Sequence, residues 1–327
     1  MKFSIIVPVY NVEKYVQECL LSIKNQTYND WECVVINDGS TDNSYAKCLE
    51  ITKDDDRFVL INQNNSGVSA TRNNGINYCS GEFVLFVDSD DYIDIKLLEK
   101  LNDFICEKKA DIVFFNYNTL YENGEILPCD FYSIFNEENI NKDTVFYNYF
   151  KYSNMGNVWG KAIKLSVIKD NNLKFNNEYF FAEDQIFCYE LFLVSCNIAC
   201  LRERLYYYRI RNTSIVQSYN AEKLINMEKY ADFLRINISK LETNSDEYEK
   251  FLNQMLTHLL FKENSDIFNK YDLDKKEKKK AYLALKNSSL IKYLTPTNLK
   301  ERLLANTIKS CYGCNLIFYK LKRILKI

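Results

Sequence analysis

Histidine is almost absent from this chain: His258 is the single one in 327 residues. Chemistry built on imidazole, whether a Ser-His-Asp triad, a Cys-His pair or a His-ligated zinc, is therefore not expected. A carboxylate must act as acid or base, and oxygen atoms must hold any metal. Three Pro and eight Gly are too few for a sandwich, a propeller or a disordered linker. No apolar run approaches the roughly 18 residues that suggest a membrane span. Met1-Lys2 leads straight into a strand, so no signal segment is expected. Two nucleotide signatures are missing as well. No Gly-x-Gly-x-x-Gly follows the first strand, and no Gly-x-x-x-x-Gly-Lys-Ser/Thr occurs anywhere.

What is present describes a soluble globular chain, with 47% hydrophobic and 26% charged residues. Aromatics reach 15%, nearly all Tyr and Phe, which suits stacking on bases and sugars as well as core packing. Eleven Cys, an odd count scattered through strands and helices, read as reduced thiols of a cytosolic protein. Cys311 and Cys314 form a Cys-x-x-Cys with no second pair, which implies no zinc site. Charge is unevenly placed. Residues 262–327 hold 16 Lys and Arg against 6 Asp and Glu, a balance of +10, and the rest carries −12. An acidic body with a basic tail points to an anionic surface as partner. No nucleic-acid partner is expected.

The first 120 residues alternate between two periods. Apolar runs at Phe3–Val9, Trp31–Ile36, Arg57–Ile61, Phe83–Val87 and Asp111–Asn116 read as strands. Between the first two, Val12, Tyr15, Val16, Cys19, Leu20 and Ile23 make a helical stripe, with Asn11 as its expected cap. Further helices are predicted up to Lys53, over Val68–Tyr78 and around Leu97–Ile105. Strands and helices at this spacing form βαβ units and a mostly parallel, doubly wound α/β sheet. Ligands bind such sheets at the carboxyl ends of the strands. There stand Pro8-Val9-Tyr10-Asn11, Asp38-Gly39-Ser40, Asn65-Ser66-Gly67 with Arg72 beyond, and Asp88-Ser89-Asp90-Asp91.

The last segment is the most informative. Five apolar residues run into three carboxylates, and strand alternation is expected to send Asp88 and Asp90 to one side and Asp91 to the other. Negative charge gathered at a buried strand end needs a cation or donor groups. Mg²⁺ or Mn²⁺, held by one or two carboxylates with water and phosphate completing its shell, fits that need. The alternative is an acidic turn capping the next helix. A second carboxylate pair, Glu183-Asp184, follows Phe180-Phe181-Ala182 where a helix to about Val194 is predicted.

Ser4–Asn11, Asn37–Asp42, Gly67–Asn73 and Val87–Asp91 together resemble, in order and spacing, four motifs of the family 2 glycosyltransferases. The resemblance is strong over residues 1–120, patchy through Trp159-Gly160-Lys161 and Ala182-Glu183-Asp184, and absent beyond about 220. It implies a GT-A fold with a helical C-terminal extension, and transfer of a sugar with inversion. It also implies roles. Pro8, Val9, Tyr10, Asp38, Arg72, Asp88 and Ser89 would bind a UDP-sugar, with Tyr10 over the base and Asp38 at the uracil edge. Asp90 would be the metal ligand. Asp184 would be the general base, with Glu183, Trp159 and Lys161 on the acceptor side, Lys161 being either a diphosphate contact or a solvated charge.

Two positions depart from the family pattern. The stretch after the base motif holds Arg209 and Arg211 where a His is frequent, which puts a third metal ligand in doubt. Asn37 stands where Asp is common. The expected organisation is a glycosyltransferase domain over 1–220, its nucleotide-binding half 1–120 and its acceptor-side half 121–220, then a helical basic region over 221–327. The expected activity is transfer of a hexose or N-acetylhexosamine from a UDP-sugar, through a β linkage, to a lipid-linked, lipopolysaccharide or capsule glycan. A catalytically inactive nucleotide-sugar scaffold and a sugar nucleotidyltransferase are the alternatives. Finally, Leu316, Ile317, Leu321, Ile324 and Leu325 form an apolar stripe among Lys309, Lys320, Lys322, Arg323 and Lys326. Such a helix reads either as a peripheral anchor on the inner face of the cytoplasmic membrane or as a helix packed back onto the protein.

Overall fold

The structure is a computed structural model. It describes the chain except residues 136–138, 180, 212–220, 240, 242–244, 270–272, 313–314, 317 and 320–327. The described residues form two compact units. The first comprises 1–146, 155–178 and 183–211, and the second comprises 147–154, 179–182 and the described part of 212–327.

In the first unit the predicted alternation is visible as β1 (Phe3–Val9), α1 (Val16–Lys24), β2 (Trp31–Asp38), α2 (Ser44–Thr52), β3 (Phe58–Gln63), α3 (Val68–Tyr78) and β4 (Phe83–Phe86). After these come β5 (Tyr92–Ile93), α4 (Leu97–Lys108), β6 (Ile112–Tyr121), β7 (Ile126–Cys129) and β8 (Asn139–Ile140). Then follow α5 (Lys142–Lys151), whose second half belongs to the other unit, β9 (Lys161–Lys164), α6 (Leu165–Asp170), α7 (Glu183–Val194) and β10 (Ile198–Ile210). The strands make one sheet in the order β3-β2-β1-β4-β9-β6-β10-β5, with β7 beside β6 and β8 beside β10. The first four strands pair in parallel, Phe3 opposite Trp31 and Phe83. Beyond them the sheet is mixed, because β9 runs antiparallel to both β4 and β6.

Both faces of the central strands are buried, as their unbroken apolar runs require. On one face Val16, Cys19, Leu20 and Ile23 of α1 and Leu97, Leu98, Leu101 and Ile105 of α4 join Ile5, Val7 and Val35 in a single core. Each such side chain contributes roughly 1.5–3 kcal/mol when fully buried. On the other face α3 lies so close that a Cβ on Gly75 would come within 2.6 Å of Ile6. Phe86 there meets Phe175 edge-on at 5.3 Å, and Phe175 stacks on Phe187 of α7 at 4.1 Å. The α1 stripe is as predicted, but the helix opens at Val16. Asn11 is not its cap: its φ is 51° and its Oδ1 accepts from the Thr41 amide at 2.8 Å.

The second unit is helical: α8 (Ala221–Ile238), α9 (Ser245–Asn269), α10 (Lys275–Asn287) and α11 (Leu299–Lys309). Asp274 caps α10 through a reciprocal bond with Glu277. The five lysines of 275–280 ride on exposed or half-exposed positions, while Ala281, Tyr282 and Leu285 face inward. His258 is exposed on α9, 3.5 Å from Glu301. Among the described residues no helix is long and apolar enough to cross a membrane. Most of the predicted tail helix, Ile317, Lys320–Lys322, Arg323, Ile324, Leu325 and Lys326, lies outside the described residues, as does Cys314. Of its described part and the residue before it, Tyr319 and Asn315 accept from Asn264 at 3.1 and 3.2 Å.

Candidate active site

β4 ends at Phe86, and the carboxylates sit in a turn closed by the Asp91 amide donating to the Asp88 carbonyl at 3.0 Å. Their directions are therefore set by the turn, not by strand alternation, and each meets its own partner. Asp88 Oδ1 accepts from Arg72 Nη2 at 3.1 Å. Asp90 Oδ2 lies 2.6 Å from Arg211 Nε. Asp91 is buried and accepts from the Tyr206 hydroxyl and the Arg209 amide, each at 2.7 Å. The same Tyr206 oxygen accepts from the Asp88 amide at 3.1 Å. What brings these partners in is β5, which pairs antiparallel with β10, Tyr206 opposite Ile93 and Tyr207 opposite Tyr92. Irregular register between Leu201 and Tyr206 bends β10 just before that point.

Burial is the main force on this cluster. It raises the Asp90 carboxyl, Asp88 adds to the rise, and Arg211 and Arg209 oppose it. Asp91 is raised further, by burial and then by Asp90 and Asp88.

Arg72 ties the turn to the second acidic pair. It projects from α3, is 7% exposed, and donates through Nη1 to Glu183 Oε1 at 3.0 Å while holding Asp88. Its guanidinium also lies 5.3 Å from the Phe175 ring. Burial alone would lower its pKa, but Asp88, Glu183 and Asp184 more than offset this and raise it, so the group is a permanent cation. Glu183 and Asp184 open α7, and Asp184 Oδ1 accepts from the adjacent Gln185 amide at 2.8 Å. Burial, reinforced by Glu183 and opposed by Arg72, pushes the Asp184 carboxyl up to about 7. A carboxylate tuned to that range is suited to accept and release a proton near neutral pH.

Of the residues expected to bind the nucleotide, Tyr10 follows β1 and is 48% exposed. Asp38 ends β2 and is only 4% exposed. Its Oδ1 accepts from Gln63, the Ser66 amide and the Ser66 hydroxyl, and its Oδ2 from the Gly67 amide at 2.9 Å. Asp38 thus organises the loop before α3 and keeps acceptor capacity on Oδ2. Gly39 beside it has φ 69°, and a Cβ there would lie 2.7 Å from the Asn65 amide nitrogen, so only glycine fits.

Two residues expected on the acceptor side are placed otherwise. Lys161 is neither a diphosphate contact nor a solvated charge. It is fully buried, its Nζ donating to the Tyr132 hydroxyl at 3.1 Å and to the Asn157 carbonyl, and burial lowers its pKa. Trp159 is 7% exposed and stacks on Tyr206 and Tyr208 at 5.0 and 5.1 Å, so most of its indole is taken up by packing against residues of β10. Tyr206 and Tyr15, the latter 5.1 and 5.3 Å from the guanidinium groups of Arg209 and Arg211, were not anticipated. Tyr206 is carried there by β10, paired with β5 and β6, while Tyr15 comes from the turn before α1, and no local motif marks either.

Whether a divalent cation suits this turn can be judged from its donors. They are oxygens, mostly of carboxylates, the choice of a hard ion, and Asp90 is a desolvated carboxylate beside the like charge of Asp88 that gains from a cation. Among the described residues no three His, Cys, Asp or Glu side chains gather as a ready-made ligand set. Asp90, with Asp88 beside it, therefore suits a Mg²⁺ or Mn²⁺, which would need further oxygen ligands from outside the chain.

The profile of glycosyl transferase family 2 matches residues 4–207, a span that holds nearly all of β1 to β10 and both acidic clusters, and stops just short of Arg209 and Arg211. The chain belongs to that family. Known proteins agree with the assignment. Putative glycosyltransferase EpsH of Bacillus subtilis is 34% identical over 256 residues, 76% of this chain and 73% of EpsH. Glycosyltransferase GlyA of Streptococcus pneumoniae is 38% identical over 224 residues, covering 65% of this chain and 31% of GlyA. TarS of Staphylococcus aureus, a poly(ribitol-phosphate) beta-N-acetylglucosaminyltransferase, is 30% identical over 80% of this chain and 44% of TarS. This glycosyltransferase thus spans less than half the length of the last two. A crystal structure of TarS residues 1–349 with UDP-GlcNAc superimposes with a TM-score of 0.68 at 25% identity, covering 98% of this chain and 89% of that one. The fold is therefore GT-A, with helices following the catalytic sheet.

Proposed function

We propose that this glycosyltransferase moves a hexose or N-acetylhexosamine from a UDP-sugar to a hydroxyl of a bacterial surface glycan, with inversion to a β linkage. The observation that carries the reading is Arg72, one buried cation joined to both Asp88 and Glu183. It sets the donor-side turn and the carboxylate pair of α7 in one rigid relation. The TarS complex with UDP-GlcNAc supports the choice of donor. The poly(ribitol-phosphate) named for TarS, and for a beta-glucosyltransferase of Bacillus spizizenii, supports a surface polymer as acceptor. Lipid-linked, lipopolysaccharide and capsule glycans belong to the same class.

In this reading Tyr10 stacks on the uracil, and the spare acceptor capacity of Asp38 Oδ2 meets the uracil imide N–H. Pro8 and Val9 hold the strand end beneath the base, while Asp88 and Ser89 face the ribose and diphosphate. Asp184 takes the proton from the acceptor hydroxyl as that oxygen bonds to the anomeric carbon. The bond to the UDP oxygen breaks, and UDP leaves with the electron pair. Glu183 holds Asp184 in register through Arg72. A bound Mg²⁺ or Mn²⁺ at Asp90 would supply the Lewis acid that neutralises the leaving diphosphate.

Release of UDP from a panel of UDP-sugars, with and without a polyol-phosphate or lipid-linked glycan acceptor, tests the proposal. Acceptor-stimulated release from one donor is expected. No release from any of them, with UDP still bound, would leave a nucleotide-sugar-binding scaffold instead. We propose further that the basic 262–327 region holds the enzyme at an anionic membrane surface, on the strength of its +10 balance. Binding to anionic vesicles that survives in high salt, or is absent in low salt, would contradict it.

A further inference from the structure

Two arginines of β10 and the residue after it reach the acidic turn, and they are not equivalent. Arg209 is part of the framework. Its amide donates to Asp91, its Nε donates to the Asp90 carbonyl at 2.9 Å, and its Nη2 pairs with Glu18. Arg211 touches the one carboxylate of the turn proposed for a cation. Its Nε is 2.6 Å from Asp90 Oδ2, yet that buried N–H has no hydrogen-bond acceptor. At so short a distance the failure is one of direction: the N–H points away from the oxygen. Charge, not a directed bond, holds this pair together. Each side chain keeps 19% of its surface exposed although the Arg211 Nε itself is buried, so solvent reaches the edge of the pair. The face of Tyr15 lies 5.3 Å from the Arg211 guanidinium, a resting place for it.

The contrast with Arg72 is informative. Arg72 is held by two directed bonds to two carboxylates at 7% exposure, whereas Arg211 has one misaligned contact. A divalent cation and a guanidinium would both answer the same need, positive charge against a desolvated Asp90 beside Asp88. We infer that Arg211 is a tethered counter-ion of Asp90, displaced when a divalent cation binds, so that it sets the cation affinity of the free enzyme. The inference rests on the proposed assignment of Asp90 as the metal ligand.

The test is Mn²⁺ binding to the nucleotide-free full chain, followed by electron paramagnetic resonance of free Mn²⁺ or by calorimetry. Arg211→Gln should bind Mn²⁺ more tightly than wild type by about fivefold, the ratio that an ion pair of roughly 1 kcal/mol gives. Arg211→Lys, which keeps a cation on a shorter reach, should fall between the two. Unchanged or weaker Mn²⁺ binding in Arg211→Gln would overturn the inference. Asp90→Asn should lose the site. If it binds Mn²⁺ as wild type does, the assignment of Asp90 fails, and the role of Arg211 fails with it.

Discussion

The chain carries two acidic clusters at the ends of secondary-structure elements, and their carboxylates are partnered unequally. In the turn after β4, Asp88 has Arg72, Asp90 has Arg211, and Asp91 has Tyr206 with the Arg209 amide. At the start of α7, Glu183 takes the other arm of Arg72, and Asp184 is left with the amide of its neighbour. The difference separates framework from chemistry. A buried carboxylate with full partners holds the loop around it in place. Burial raises Asp90 and Asp91 as it raises Asp184, so partnering is what separates them: Asp184, drawn up to about 7 with one amide on its carboxylate, is the one suited to carry a proton.

The comparison can be broken by substitution, most forcefully at Asp184. Asp184→Asn keeps the shape but cannot take a proton, and transfer should fall by roughly 10²–10⁴-fold while UDP affinity is unchanged. Steady-state transfer beside UDP calorimetry would show it. If Glu183→Gln shows that loss and Asp184→Asn does not, the two roles are reversed. Next in size is Arg72→Met, which strands Asp88 and Glu183 together. Breaking a buried pair of this kind costs about 3–5 kcal/mol, read as a lower denaturation midpoint. A midpoint equal to wild type would show that Arg72 is no bridge. Smaller still is Tyr206→Phe. Losing the hydroxyl that serves both Asp91 and the Asp88 amide should cost about 1–3 kcal/mol in stability, with a modest drop in transfer. An unaltered midpoint would remove Tyr206 from the framework.

How much of this was legible in the sequence follows from the range of the interactions. The helix over Val68–Tyr78 was read to the residue, and the α1 stripe and the end of α7 also agree, because periodicity is a local signal. The antiparallel insertion of β9 was not legible, since a strand of four residues has no directional mark. The ends of the acidic motif were misjudged for a related reason. Alternation holds inside a strand, and β4 stops at Phe86, before the first carboxylate. Lys161 was read as a solvated charge or a ligand contact because lysine is so rarely buried; a ring of Phe114 and Tyr132 with the Asn157 carbonyl accommodates it. The partners of Asp90 and Asp91 lie more than 100 residues away along the chain, and only the pairing of β5 with β10 assembles them.

The central claim is that Asp184 carries the proton, and its pH dependence tests this most directly. Asp184 must be ionised to act as base, and burial with Glu183 raises its carboxyl to about 7. Below that pH the folded enzyme holds the proton, so kcat/KM should fall roughly tenfold per unit as pH drops, with an apparent pKa that belongs to the coupled cluster. Measured as acceptor-dependent UDP release from pH 5 to 9, on the order of what one titrating limb needs, wild type should show that limb near 7 and Asp184→Asn should lose it. An unchanged limb in Asp184→Asn would contradict the account.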